Sequence, residues 1–313
     1  MRDTAGQREG ITFAALSYVI WGLLPIYWKL LEHVSAGEIL ANRVIWSFFF
    51  MLAILAAARK IKTLPASIKG LGRAPKQLVL LGLASILIST NWFVYIWAVN
   101  TGQVVEASLG YYINPLVSVL LGMAFFKEKL TRLQAFSFLL AFVGVLAMTA
   151  AYGRFPWIAL LLAFSFGLYG VAKKGLSLDP AVGLTLETML ILPVAFLYTI
   201  YLYSSGSLAL FTSLDDSLLL MGAGVATAVP LLLFAKGARH LSLSMLGFLQ
   251  YIAPTLMLGL GVLLYGEDFS KTDLFAFMLI WVAVTLFSLS NKPSGKASLS
   301  NGKGRKQQIK KRA

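Results

Sequence analysis

The segment Tyr112-Ile113-Asn114-Pro115 returns 139 positions later as Tyr251-Ile252-Ala253-Pro254. The same offset carries Glu128, which follows the first segment, onto Glu267, which follows the second. Self-similarity at a fixed offset marks an internal repeat, in which two copies of one structural unit follow each other along the chain. The sequence therefore predicts a protein built from two related halves.

The composition is that of a membrane protein. Of the 313 residues, 58% are hydrophobic and only 13% are charged, and the mean hydropathy is +0.78. A soluble domain has about a quarter of its residues charged. The chain has no cysteine and two histidines, which excludes disulfides, thiolate metal sites and His-rich metal centres. We expect neither a metal nor a cofactor.

Apolar stretches of about 20 residues are long enough to cross the hydrocarbon core of a bilayer as helices. We predict ten such helices, near residues 11–31, 36–58, 76–99, 103–126, 131–150, 155–175, 181–203, 217–238, 242–264 and 273–290. The first repeat is expected to span residues 1–150 and the second 151–290. The predicted fold is an all-α integral membrane protein of two five-helix repeats.

The positive charges predict the orientation. Of the 27 Lys and Arg residues, 23 fall in the termini and in alternate connections, whereas the other connections hold only Arg154 and Lys271. Connections rich in Lys and Arg face the cytoplasm, so both chain ends are expected there. Because each half has an odd number of helices, the two repeats must be inverted relative to each other. Inverted repeats are typical of secondary transporters.

Residues 291–313 form a basic tail. They carry eight Lys and Arg residues among Ser, Gly and Gln, with no apolar period, and the tail is expected to be disordered. Attraction to anionic lipids of the cytoplasmic leaflet explains this charge, at about 1 kcal/mol for each residue near the surface. No aromatic residue is interleaved with the charges, so binding of nucleic acid is not expected. Whether the protein is a monomer or a homodimer stays open.

Several longer stretches carry a family resemblance. They are Tyr18 to Lys29, Glu38-Ile39-Leu40-Ala41-Asn42-Arg43-Val44-Ile45-Trp46-Ser47, residues 91–116 with Glu106-Ala107-Ser108-Leu109-Gly110-Tyr111-Tyr112, Glu187-Thr188 and Gln250-Tyr251-Ile252-Ala253-Pro254-Thr255. Over about residues 10–290 the chain resembles RarD-type proteins of the EamA branch of the drug/metabolite transporter superfamily. The resemblance implies two EamA repeats, a bacterial inner membrane and an association with chloramphenicol sensitivity. It implies no particular substrate, although related members export amino acids or drugs, some in exchange for protons.

Two charged residues fall well inside predicted spans. Arg43 lies in the second span and Glu187 in the seventh, at corresponding depths from opposite faces of the membrane. A charge near the centre of a span costs about 2.5–3.5 kcal/mol on insertion scales, so it normally faces a cavity or a partner. The two residues are therefore either a charged relay beside the substrate path, with Glu187 as a proton carrier, or a structural ion pair between the halves. Lys29, Glu38 and Glu106 are expected at the outer membrane face.

Aromatic and amide side chains surround these charges on the predicted helix faces. Helical spacing places Trp46 on the face of Arg43, and Asn91 on one face with Tyr95. The remaining candidates for the substrate cavity are Trp92, Tyr111, Tyr112, Asn114, Gln250 and Tyr251. Asn91 serves equally well as a pocket residue or as a hydrogen-bonding link between helices.

Three prolines within predicted spans are candidate hinges. Pro115 and Pro254 are mirrored by the repeat, and Pro25 lies in the first span. A proline removes a backbone hydrogen bond and kinks a helix, so matching kinks are expected in the two halves. The carbonyls freed in this way can face a solute or be satisfied by neighbouring helices.

Together these features predict a secondary transporter for small amphipathic solutes, aromatic or amino-acid-like, that works by alternating access, with proton coupling as one option. The resemblance alone implies that it works outward. The chain has no phosphate-binding loop, no zinc helix with paired histidines and no Gly-x-Ser-x-Gly elbow, so the sequence favours no enzyme class. A membrane-embedded enzyme acting on lipid-linked groups remains an alternative, as does a non-transporting sensor or partner subunit.

Overall fold

The computed structural model describes residues 4–101, 103–153, 155–264 and 271–290. The basic tail and Glu267 therefore lie outside the described residues. Within these ranges the chain forms helices and no strand. The helices are α1 (Thr4–Lys29), α2 (Ala36–Ala57), α3 (Thr63–Gly72), α4 (Pro75–Asn100), α5 (Val104–Phe126), α6 (Arg132–Tyr152), α7 (Trp157–Gly175), α8 (Pro180–Ser204), α9 (Leu214–His240), α10 (Leu243–Gln250), α11 (Ile252–Leu264) and α12 (Lys271–Ser290).

Side-chain caps start several of these helices. The first four N–H groups of a helix lack a partner within it, and a side-chain oxygen at the N-cap supplies one. Thr131 and Gln134 form a capping box at the start of α6, with each side chain accepting a hydrogen bond from the other residue's N–H. Asp179 caps α8 by accepting hydrogen bonds from the N–H groups of Ala181 and Val182. These polar residues lie where the apolar runs begin.

Nine stretches of the described chain are long and apolar enough to cross a membrane, and Leu274–Ser290 is a shorter apolar helix. The predicted all-helical membrane architecture is therefore confirmed, while the tenth span stays a prediction. Large apolar side chains cover the outside of the bundle; Val194 and Leu197 of α8, for example, are 67% and 68% exposed. Such a surface suits a lipid environment, because apolar side chains that contact lipid tails are not exposed to water.

Two features differ from the sequence-based prediction. The short helix α3 occupies part of the connection between the second and third predicted spans, for which the sequence predicted no helix. The ninth predicted span is broken, because α10 ends at Gln250 and α11 begins at Ile252. Pro254 has no N–H to donate to the carbonyl of residue 250, which explains a break at this point. By contrast, α5 continues through Pro115 without such a break.

The largest contacts between helices join the two halves of the chain. Helix α2 packs against α8, and α6 packs against α12. Helices α4 and α5 of the first half both pack against α7, and helices α9 and α11 of the second half both pack against α1. The halves are therefore interlocked, and any cavity at the centre of the bundle has walls from both of them.

We expect the Gly224→Ala variant to lose roughly 1–3 kcal/mol of unfolding free energy, the usual cost of overpacking. A Cβ atom on Gly224 of α9 would lie 2.3 Å from the carbonyl carbon of Trp46 and 2.5 Å from the backbone nitrogen of Ser47 in α2. Because these are backbone atoms, they cannot rotate away as a side chain can, and the helices would have to move apart. The Ser47 Oγ also donates a hydrogen bond of 3.0 Å to the carbonyl of Gly224.

The measurement is a reversible unfolding titration in detergent micelles. Gly82→Ala is the matched control, because a Cβ atom on Gly82 of α4 would meet no atom within 4 Å. Equal stabilities of the two variants would show that α2 and α9 do not approach as closely as the structure has them.

Candidate functional site

A cavity of about 80 Å³ lies between the two halves. A cavity needs roughly 10–15 Å³ to hold one water molecule, so this one has room for several. Its walls come from α1, α2, α4, α5, α7, α10 and α11. The lining residues are Tyr18, Trp21, Leu24, Pro25, Trp28, Arg43, Asn91, Trp92, Tyr95, Gly110, Tyr111, Asn114, Leu162, Phe166, Gln250, Ala253 and Met257.

Arg43 supplies the positive charge of the cavity. Its side chain extends from α2 and is 7% exposed. Its Nε donates a hydrogen bond of 2.9 Å to the Thr227 Oγ1 in α9, and its guanidinium carbon lies 4.7 Å from the ring centroids of both Trp28 and Trp92. A cation at this distance is attracted by the electron-rich face of an indole ring. Among the described residues, no carboxylate lies within ion-pair distance of Arg43.

Asn114 has an unsatisfied oxygen in the wall of the cavity. The residue lies in α5, one position before Pro115, and is 3% exposed. Its Oδ1 is the one buried side-chain oxygen or nitrogen in the described part of the chain that has no hydrogen-bond partner. Leaving such an acceptor unpaired costs about 1–3 kcal/mol. A buried polar group without a protein partner normally binds a water molecule, an ion or a ligand.

Asn91 links two helices of different halves at the edge of the cavity. Its Nδ2 donates hydrogen bonds of 2.9 Å to the Leu162 carbonyl and to the Ser165 Oγ, both in α7. The two roles considered for Asn91 therefore coincide, since the same amide lines the cavity and ties α4 to α7. Beside it, the rings of Tyr95 and Tyr111 meet edge to face with centroids 5.7 Å apart.

An aromatic cluster closes one end of the cavity. Trp21 and Phe166 pack edge to face at 5.6 Å, and both contact Phe234 of α9. Tyr18, which is 1% exposed, lies against Trp21 and Phe234. Tyr169 stacks on Phe234 and contacts Phe166, and it is not among the residues that line the cavity. These rings separate the cavity from the polar groups beyond Tyr169.

Glu187 lies beyond this aromatic cluster and is paired with Lys173. The Lys173 Nζ donates a hydrogen bond of 2.7 Å to the Glu187 Oε1, and the Tyr169 hydroxyl donates one of 3.3 Å to Oε2. The side chains of Lys173 and Glu187 are 4% and 1% exposed. The hypothesis that Glu187 pairs with Arg43 is therefore wrong. The partner is a lysine of the neighbouring helix α7, whose long side chain reaches into the bundle.

The predicted site residues fall into two groups. Those that line the cavity are Pro25, Arg43, Asn91, Trp92, Tyr95, Tyr111, Asn114 and Gln250. Those that do not line it are Trp46, Tyr112, Pro115, Glu187, Tyr251 and Pro254. Trp46 turns away because its Nε1 donates a hydrogen bond of 3.0 Å to the Asn42 Oδ1, one turn earlier in α2.

Tyr112 and Tyr251 bind each other's segments behind the cavity wall. The Tyr112 hydroxyl donates to the Pro254 carbonyl at 3.2 Å, and the Tyr251 hydroxyl donates to the Tyr112 carbonyl at 3.3 Å. Both tyrosines are buried. The repeat-related tyrosines therefore join the two proline segments to each other and contribute to the shape of the site without lining it.

The sequence analysis did not identify Trp28 as a cavity residue. Trp21, Pro25 and Trp28 recur at helical spacing along α1, and all three line the cavity. This spacing places side chains on one face of a helix and was a usable signal. As for metals, the described residues contain no group of three or more His, Cys, Asp or Glu side chains that could hold an ion.

A bundle of apolar helices with a polar cavity shared by two halves is the architecture of a membrane transport protein. The chain belongs to the EamA-like transporter family, whose model matches residues 8–150 and again residues 156–289. The resemblance to RarD-type proteins within the drug/metabolite transporter superfamily is thereby confirmed.

Relatives support this assignment along nearly the whole chain. The chain is 52% identical over 299 residues to the uncharacterized transporter YojE of Bacillus subtilis, covering 95% of this chain and 99% of the relative. It is 43% identical to Protein RarD of Escherichia coli, with 91% and 95% covered. A protein of known crystal structure shares the fold, with a TM-score of 0.68 at 18% identity, over 94% of this chain and 100% of that one.

Proposed function

We propose that this protein is a secondary transporter that exports small amphipathic solutes, aromatic or amino-acid-like, across a bacterial inner membrane by alternating access. The observation that carries the proposal is the central cavity, whose walls come from both halves and contain the buried cation Arg43. A charge kept inside an apolar bundle at a cost in stability points to a solute path. The membership of the EamA-like transporter family supports the same conclusion.

The packing of the helices supports an inverted repeat. Inversion pairs α1 with α7, α4 with α9 and α5 with the broken helix α10–α11. The contact of α4 with α7 then corresponds to that of α9 with α1, and the contact of α5 with α7 corresponds to that of α11 with α1. Two halves related in this way can exchange conformations, which opens the cavity to each side in turn.

The position of the cavity indicates which side is closed. If both chain ends are cytoplasmic, α2 begins at the outer face, and Arg43 lies eight residues into it. Glu187 lies eight residues into α8, which then begins at the inner face. The aromatic cluster around Phe234 and the Lys173–Glu187 pair then close the inner side. We infer that, in this orientation, the inner gate of the transporter is shut.

We propose that Glu187 couples transport to protons. Protonation of Glu187 would remove the charge that holds Lys173 and Tyr169 and would loosen the inner gate. In proteoliposomes containing the purified protein, a pH gradient is expected to drive accumulation of at least one labelled solute from a panel of amino acids and aromatic drugs. In the Glu187→Gln variant the same gradient is expected to give no accumulation above equilibrium.

The matched control is Glu32→Gln, because Glu32 lies on the surface with its side chain 63% exposed. This variant is expected to transport like the unmodified protein. Size-exclusion chromatography establishes that each variant is folded. Equilibration that ignores the gradient in the unmodified protein would disprove proton coupling, and an absence of flux for every solute would contradict the transporter assignment itself.

A further inference from the structure

Among the described residues that line the cavity, Arg43 is the one ionised side chain, and neither Asp nor Glu is present. The formal charge of this described lining is therefore positive. The carboxylate of Glu187 lies outside the lining and is already bound by Lys173. A bound cation would therefore have no opposite charge among the described lining residues, and burying an unpaired charge is costly. A bound anion would meet the charge that the cavity already contains.

The guanidinium group of Arg43 has more hydrogen-bond donors than its described protein contacts use. A guanidinium carries five N–H groups. Within the described part of the chain, one of them, at Nε, donates to Thr227, and the others have no protein partner. The indole rings of Trp28 and Trp92 hold the group in place without accepting conventional hydrogen bonds. The remaining donors suit a carboxylate, which accepts two parallel hydrogen bonds from an arginine.

The unpaired Oδ1 of Asn114 specifies a second group on the ligand. This oxygen is an acceptor, so it needs an N–H or O–H donor. The described lining residues include no Asp or Glu that could balance a second cation next to Arg43. The donor is therefore best supplied by a neutral hydroxyl or amide rather than by an ammonium group.

Much of the rest of the described lining is aromatic. The rings of Tyr18, Trp21, Trp28, Trp92, Tyr95, Tyr111 and Phe166 line the cavity together with Arg43 and Asn114. Aromatic rings pack well against other planar rings at offset or edge-to-face geometries. A planar apolar body on the ligand would fill the space between the charged end and the donor.

From these three features we propose that the cavity selects aromatic monocarboxylates that carry a neutral hydrogen-bond donor, with the carboxylate on Arg43 and the donor on the Asn114 Oδ1. This inference rests on the proposed transport function, because it specifies the solute that the same cavity takes. Within the broader class of amphipathic solutes it favours anions and disfavours cations and zwitterions.

The test compares ligands that share one ring. Binding to the purified full-length protein in detergent micelles is measured by calorimetry for para-hydroxyphenylpropionate, its amide, its methyl ether, tyrosine and tyramine. The carboxylate is expected to bind about ten- to hundredfold more tightly than the amide, the range that hydrogen bonds to a charged group provide. It is expected to bind about fivefold more tightly than the methyl ether, which cannot donate to Asn114. Tyrosine and tyramine are expected to bind more weakly than the carboxylate.

Variants identify the residues responsible. Arg43→Gln is expected to abolish the preference for the carboxylate over the amide, whereas Arg43→Lys, which keeps the charge, is expected to retain part of it. Asn114→Leu is expected to abolish the preference for the phenol over the methyl ether and to leave the preference for the carboxylate. Arg132→Gln is the matched control, because Arg132 lies exposed at the start of α6.

The outcomes separate this proposal from the transport proposal. Equal or tighter binding of tyramine or tyrosine, or no binding of any compound to folded protein, would overturn the proposed ligand class. Binding of the carboxylate without its flux in proteoliposomes would uphold the ligand class and contradict transport. Flux of tyramine but not of the carboxylate would uphold transport and overturn the ligand class.

Discussion

The Lys173→Met variant is expected to lose about 3–5 kcal/mol of unfolding free energy, the usual cost of removing one partner from a buried ion pair. The cost arises at the residue that remains. Glu187 would stay in a site where its side chain is 1% exposed, with the hydroxyl of Tyr169 as its remaining donor. Water cannot replace the lost ammonium group there, so the carboxylate is left without a counter-charge.

The variant that combines Lys173→Met with Glu187→Leu is expected to recover most of this loss, because a buried pair replaced by apolar residues of similar size is often neutral. Unfolding by a denaturing detergent in mixed micelles measures the stability of the unmodified protein, of Lys173→Met and of the double variant. Lys69→Met on the exposed surface of α3 is the control and is expected to change stability by less than about 0.5 kcal/mol. If Lys173→Met were as stable as this control, water would have to reach the pair.

The partner of Glu187 could not be derived from the sequence, although the burial of both Arg43 and Glu187 could. Depth along a helix follows from counting residues at a fixed rise, and both residues are indeed buried. Lys173 was counted with Lys174 among the cytoplasmic charges at the end of a span. Its side chain is long enough to reach inward, and nothing in a one-dimensional pattern indicates which way it points.

Two glutamates expected at the outer membrane face, Glu38 and Glu106, bind backbone groups that are distant in sequence. Glu38 is 1% exposed and accepts hydrogen bonds from the N–H groups of Ala209 and Leu210 in the segment after α8. Glu106 is 2% exposed and accepts one from the N–H of Ile158 at the start of α7. A carboxylate suits such unpaired N–H groups. The sequence does not show which distant segment brings them.

The repeat was the part of the architecture most visible in the sequence, because mirrored residues keep their identity even where their surroundings change. The hydrogen bonds that join the Tyr112 and Tyr251 segments lie at the mirrored positions. The break after Gln250 was not visible, since Pro115 shares the same motif without interrupting α5. Whether a proline breaks a helix depends on the neighbours that accept the freed groups, and these are tertiary contacts.

The Glu128→Ala variant is expected to lose roughly 3 kcal/mol of unfolding free energy, because hydrogen bonds to an ionised acceptor contribute more than neutral ones. Glu128 lies just beyond α5, and its carboxylate binds the start of α10 in the other half. Oε1 accepts from the Leu243 N–H at 2.6 Å, and Oε2 accepts from the N–H and the hydroxyl of Ser244 at 2.9 and 2.6 Å. These N–H groups have no partner within their own helix.

The Glu128→Gln variant separates charge from shape. A glutamine has the same length but accepts with one oxygen only, and it loses the attraction of a negative charge to a helix N-terminus. We expect its stability to fall between those of the unmodified protein and Glu128→Ala. Glu9→Ala, on the exposed face of α1, is the matched control and is expected to stay within about 0.5 kcal/mol of the unmodified protein.

A second variant tests the same contact without touching the carboxylate. A Cβ atom on Gly122 of α5 would lie 2.6 Å from the Glu128 Oε2, so Gly122→Ala must displace the carboxylate from the start of α10. Gly122→Ala is expected to destabilise the protein in the same detergent titration. Added to Glu128→Ala, it is expected to lower the stability little further. Losses that simply add in the double variant would show that Gly122 acts through some other contact and that the carboxylate is free to move aside.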